Sequence, residues 1–225
     1  KWIDYSSLQV MAGDVVGNDQ RLARHAHKLN MTKIGRPVDP SDWEHSPHEI
    51  NAYYDPTKNT FVLLAGILRQ PFFSPTASRA ENYGGIGFII GHEIGHGFDD
   101  QGSQFDAVGN MRNWWTDEDT VAYNKIKQAL ITQANAYEIL PDTFLNGELE
   151  IGEIMGDLSG AQVALIAYRK SLGNTGQAVS DIAEKEFFIQ LARTWRSKWR
   201  EEFLRTVLQS NPHPPSEFRA NGIVK

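Results

Sequence analysis

The sequence predicts a mainly α-helical chain with one small β-hairpin or sheet, and three observations predict it. From Glu184 to Gln209, the residues Phe188, Leu191, Trp195, Trp199 and Phe203 fall three or four apart and make one apolar stripe, as on a helix. Gly147 to Arg169 runs into apolar Ala161, Val163, Ala164, Leu165 and Ala167 and reads as a largely buried helix. Strand composition is confined to Asn51-Ala52-Tyr53-Tyr54 and Phe61-Val62-Leu63-Leu64, with the turn residues Asp55-Pro56-Thr57-Lys58-Asn59 between them.

The remaining elements follow in chain order. Gln20 to Leu29 has charged and apolar groups at mixed spacing and reads as a surface helix that ends before the loop Gly35-Arg36-Pro37. Pro37, Pro40 and Pro47 then mark an extended connector, and Pro71 and Pro75 are further breaks. The segment from Arg79 to His96 is apolar and long enough for a helix, although it holds Gly84, Gly85, Gly87, Gly91 and Gly95. Each glycine costs a helix about 1 kcal/mol relative to alanine. The spacing of the histidines at its end outweighs that cost, and buried glycines let another backbone approach closely. Gly97 reads as the C-terminal cap. Thr116 caps a helix to about Glu138, with Asp117, Glu118 and Asp119 favourable in its first turn. Pro212, Pro214 and Pro215 close the last helix and leave His213 in a loop.

At 225 residues, 40% hydrophobic and 22% charged, the chain can bury a sizeable core. We read it as a single catalytic domain over 1–225, with a leading helix and connector in 1–50 and the site-bearing core in 51–225. A net charge of -6 and the lack of a dense Lys and Arg run argue against a nucleic-acid partner. The absence of cysteine excludes disulfides and any thiolate zinc site, so a metal must be held by histidine and carboxylate. No apolar stretch approaches the roughly 20 residues of a membrane span. The chain begins at Lys1 without methionine and reads as a piece of a longer protein.

Chemistry concentrates in two motifs, His92-Glu93-Ile94-Gly95-His96 and Glu153-Ile154-Met155-Gly156-Asp157. Residues four apart share one face of a helix, so His92 and His96 can offer ring nitrogens to one ion, with Glu93 beside them as a base. A catalytic zinc needs a third protein ligand and an open position, and Glu153 is the natural candidate. Asp157, one turn on, can accept the free N–H of a ligand histidine. A lone HExxH arises by chance in ordinary helices; the second motif turns the balance towards one Zn2+ ion. Glu148, Glu150, Asp99 and Asp100 are rival third ligands, but none combines an acidic partner four residues on with a buried helix. His25, His27, His45 and His48 read as surface or connector residues, and Trp195 with Trp199 as core packing.

These residues resemble the neprilysin and endothelin-converting enzyme family of zinc metallopeptidases, which includes bacterial oligopeptidases of the oligopeptidase O type. The resemblance covers the chain from about Gly35 as the C-terminal, catalytic portion of a longer protein. It also rests on Asn82-Tyr83-Gly84-Gly85-Ile86-Gly87, Gly97-Phe98-Asp99-Asp100 and the stretch from His213 to Phe218-Arg219. It implies a zincin-type, thermolysin-like fold and a zinc endopeptidase that cuts oligopeptides. His92, His96 and Glu153 would hold zinc, Glu93 would activate a zinc-bound water, and Asp157 would orient a ligand histidine. His213 would stabilise the oxyanion. Asn51 and Ala52 would bind the substrate backbone as an added strand, and Arg219 would grip a substrate carbonyl. Ile67, Phe72, Phe88 and Ile89 would line the pocket for the residue after the cut; all are apolar, which implies cleavage on the amino side of large hydrophobic residues.

Two departures stand out. Asn211 occupies a place where many relatives of the family have aspartate, and the family's helical N-terminal portion is absent. The resemblance therefore implies short peptides as substrates and, as a second chain, the N-terminal portion of the same precursor. A peptide-binding module, or a fragment inactive without that portion, is the alternative reading. Lack of cysteine differs from the disulfide-bearing animal members and points to a bacterial one; it does not locate the protein, for which a periplasmic or secreted place is expected in preference to the cytoplasm.

Overall fold

The computed structural model describes residues 3–39, 41–43, 45–173 and 181–224, so Pro40 of the expected connector lies outside the described residues. They divide into two compact units, Lys1–Ser46 and Pro47–Lys225. The first contains α1, Val15–Met31, capped by the Asp14 side chain accepting from the Gly17 N–H, and no residue of this helix is buried. It is the surface helix expected from the sequence, and Gly35 turns the chain with φ of 74°.

The second unit opens with the expected hairpin. Strand β1, Ala52–Asp55, pairs antiparallel with β2, Thr60–Leu63, in the register Ala52 to Leu63 and Asp55 to Thr60. The helical segment that follows is continuous but not uniform. Its first turn, α2, Arg79–Asn82, carries a capping box between Ser78 and Glu81. A π-helical stretch, Tyr83–Gly87, then leads into α3, Phe88–Gly95. Gly97 is not a left-handed cap. The helix tightens into a 3-10 turn, His96–Phe98, whose Gly97 has the Tyr54 hydroxyl 3.1 Å from where a Cβ would stand.

Helix α4, Asp117–Asn135, starts at Thr116 with the expected acidic first turn and a Thr116–Asp119 capping box. It stops short of Glu138, which begins a second hairpin of β3, Glu138–Leu140, and β4, Thr143–Phe144. Helix α5, Gly147–Ser171, is capped by Asn146 and buried along much of its length. The long helix expected over Glu184 to Gln209 is instead two: α6, Asp181–Thr194, and α7, Glu201–Val207. No proline or glycine lies between them; tertiary contacts separate the two halves of the stripe. Phe187 and Leu191 enter the core, whereas Trp199 and Phe203 are exposed. A short helix, α8, Ser216–Asn221, follows the proline-rich loop.

The core gathers Phe88 and Ile89 of α3, Ala161, Ala164 and Tyr168 of α5, and Phe187 and Leu191 of α6. Burying each large side chain contributes about 1.5–3 kcal/mol. Helices α3 and α5 meet at bare backbone: a Cβ on Gly91 would stand 3.0 Å from the Gly160 backbone, and one on Gly160 would stand 2.8 Å from the His92 nitrogen. The glycines that weaken α3 as an isolated helix are what let α5 lie against the histidines.

Candidate metal centre and its cleft

That close crossing brings the two motifs together. His92 Nε2 and His96 Nε2 are 3.0 Å apart, and Glu153 presents Oε2 at 3.3 Å from His92 Nε2 and Oε1 at 3.7 Å from His96 Nε2. Among the described residues these three form the group able to hold a metal ion. Two imidazole nitrogens and one carboxylate suit zinc, so the donor set fits the ion that the motif implies.

Behind each ring nitrogen of the pair stands a carboxylate. His92 Nδ1 lies 2.9 Å from Asp157 Oδ1, as the sequence motif anticipates. His96 Nδ1 lies 2.7 Å from Asp99 Oδ2, a partner that the sequence reading counts only as a rival ligand. Asp99 is itself fixed, since its Oδ1 accepts from the backbone N–H groups of Gln101 and Gly102 at 2.8 and 2.7 Å. Such hydrogen bonds set which ring nitrogen faces an ion. The other rivals lie elsewhere: Asp100 Oδ2 accepts from the Gln101 amide, Glu148 from Asn135, and Glu150 is fully buried with neither oxygen hydrogen-bonded among the described residues.

Electrostatics follow from this burial. Burial alone would strip the proton from His92, but hydrogen bonds to Asp157 and Glu153 more than offset it and raise its pKa to about 9. Burial would raise Glu153, yet the His92 hydrogen bond and the Arg219 charge bring it down to about 2. Asp157, although buried, is held below the usual carboxylate range by Arg219 and His92. Glu93 goes the other way: burial raises its pKa, and the charges of His92 and His96 only partly oppose this.

The centre opens on a cleft of about 570 Å³ whose wall includes Glu93, Asn51 and Ala52 of the hairpin, and the apolar Ile67, Phe72 and Ile89. Phe88, expected with those three, is not on that wall. It is fully buried and packs edge-on against the Trp195 ring, because its position on α3 faces the core. His213 reaches the site from its loop, with Nε2 3.2 Å from Glu153 Oε1. Asn211 Oδ1 accepts from the His213 backbone N–H at 2.9 Å and stands 2.9 Å from its Nδ1. Burial lowers the His213 pKa despite the nearby Glu153 charge.

Arg219 is buried beneath the cleft. Its Nε and Nη2 fork onto Asp157 at 2.8 and 2.7 Å, and Nη2 also meets Glu153 at 3.2 Å. Its guanidinium carbon lies 3.8 Å over the Trp195 ring, so Trp195 borders the cleft and is not core filler alone. The helical stripe conceals this, because it gives no sign that α6 ends at Thr194. His25 contacts Tyr5 and the Asp4 carbonyl, and His27 and His48 are exposed, in keeping with the sequence reading.

Comparison with known proteins agrees with this geometry. In solved structures, the Mycobacterium tuberculosis zinc metalloprotease ZMP1 in complex with inhibitor matches all of this chain and 35% of that one, at 43% identity and a TM-score of 0.91. PEPO from Lactobacillus rhamnosis matches 98% of this chain and 34% of that one, at 35% identity and a TM-score of 0.87. The neutral endopeptidase of Lactococcus lactis subsp. lactis is 36% identical over 217 residues, 96% of this chain and 33% of that protein. The chain thus spans about one third of the length of the relatives it matches. Its fold is that of zincin-type metallopeptidases. The model of Peptidase family M13 matches residues 51–225, and the chain belongs to that family, the neprilysin and endothelin-converting enzyme family, as a catalytic portion.

Proposed function

We propose that this chain is the catalytic part of a zinc endopeptidase that hydrolyses oligopeptides on the amino side of large hydrophobic residues. The observation that carries the reading is the buried Glu93 carboxylate on the wall of a cleft where His92, His96 and Glu153 converge. His92, His96 and Glu153 would hold the ion. When bound, zinc supplies Lewis-acid polarisation and makes water acidic enough to attack a peptide carbonyl.

The remaining work belongs to this chain's own groups. A carboxylate with a raised pKa is suited to take a proton from the attacking water and return it to the leaving amine, so Glu93 is the general base and then the acid. Strand β1 borders the cleft, so Ala52 and the preceding Asn51 would align an extended peptide alongside it. Ile67, Phe72 and Ile89 give that wall an apolar surface for the side chain after the cut. His213, beside Glu153, would donate to the oxygen that gains charge, and Arg219 to a substrate carbonyl.

The test is cleavage of a short quenched peptide with Phe or Leu after the scissile bond, run beside a Glu93→Gln protein. Cleavage abolished by that change supports the reading; equal rates in both proteins would overturn it. A second reading rests on length. Because the chain spans about a third of its relatives, it acts only with an N-terminal portion of the same precursor, and activity restored by adding that portion in trans would favour it. We propose a bacterial source, on the lack of cysteine, and a periplasmic or extracellular location in preference to the cytoplasm.

A further inference from the structure

We infer that Trp195 is a positioning residue that fixes the plane of Arg219 and so aims its remaining nitrogen, Nη1, at a carbonyl of the bound peptide. The inference deepens the peptidase reading and rests on it. Two of the three guanidinium nitrogens, Nε and Nη2, are committed to Asp157, with Nη2 also near Glu153. Among the described residues Nη1 has no hydrogen-bond partner, which leaves it to serve a ligand in the cleft that Arg219 lines.

A two-point fork holds a guanidinium along one edge but leaves it free to tip about that edge. The indole removes this freedom, because its face lies 3.8 Å from the guanidinium carbon. The indole is held in turn by Phe88, which is fully buried and meets it edge-on at 5.9 Å with planes 84° apart. Asp157, Trp195 and Phe88 therefore form a chain of support from the core to the arginine.

The indole N–H sharpens the point. Trp195 Nε1 is buried and has no hydrogen-bond partner among the described residues. An orphaned buried donor is costly, so a phenylalanine would serve simple packing better. What tryptophan offers instead is the broadest and most electron-rich face for a cation.

The test uses the zinc-loaded chain and two probes measured by calorimetry. One is a hydroxamate with a leucine side chain followed by an amide; the other replaces that amide by its trans-alkene isostere, which lacks the carbonyl. We expect Trp195→Leu to weaken the amide probe about tenfold while changing the isostere little, and Trp195→Phe to retain most of the difference. Zinc content should be unchanged in both variants, and Trp195→Phe should melt no lower than the natural protein. Equal weakening of both probes by Trp195→Leu, or a Trp195→Phe protein as impaired as Trp195→Leu, would overturn the inference. Failure of the natural protein to bind either probe would instead overturn the peptidase reading beneath it.

Discussion

A single oxygen, Asp157 Oδ1, lies 2.9 Å from His92 Nδ1 and accepts from Arg219 Nη2 at 2.7 Å. One buried carboxylate thus fixes a ring of the metal pair and the arginine beside it. Replacing Asp157 by alanine leaves both partners buried without their acceptor. We expect zinc affinity to fall about 10- to 100-fold, read by competition with a chromophoric chelator. Asp157→Asn should lose less, because its amide oxygen can still accept from the ring.

Glu93 stands buried on the cleft wall and is not one of the three residues grouped to hold a metal ion among the described residues. Glu93→Gln should therefore leave zinc content intact while kcat drops by about two to four orders of magnitude. Parallel metal analysis and peptide kinetics check this; a variant that loses its zinc would assign Glu93 a structural role.

Asn211 holds His213 through its backbone and its ring. Asn211→Ala should free the loop side chain and lower kcat by about tenfold, less than the 10²–10³ expected for His213→Ala. The two effects should not add, since the first acts through the second. A double variant much slower than His213→Ala would show that Asn211 works elsewhere.

Glu150 predicts the pH dependence of stability. Burial raises its pKa to about 7 from the ordinary 4.5. A folded-state value above the unfolded one means that the folded protein binds the proton more tightly. Its contribution is fully present below pH 4.5 and is lost as pH rises through about 7. Glu150→Gln should flatten that part of the curve and raise stability near pH 8 by about 2–3 kcal/mol. Denaturant melts of both proteins from pH 5 to 8 decide it.

Gly156 packs against the metal-side histidine, where a Cβ would stand 2.8 Å from His92 Nδ1. Gly156→Ala should push the ring off its place, costing about 1–3 kcal/mol of stability and weakening zinc binding. Unchanged binding in calorimetric titration would mean that the helices separate without moving the ring.

The sequence by itself brought out His92, His96 and Glu153 as a candidate metal group with Glu93 beside it, the first hairpin and the course of α4 and α5, because these depend on spacing and composition within one element. Residues four apart on a helix share a face in any fold, so His92, His96, Glu153 and Asp157 could be read together. Only the tertiary structure decided what depends on contacts between elements. It split the apolar stripe after Thr194, where Trp195 leaves the helix to stack under Arg219. It turned Phe88 into the core while Ile89 borders the cleft, and it gave Asp99 to His96. Periodicity reports which residues share a face; which neighbour meets that face is set by packing, and packing arises only when the helices come together.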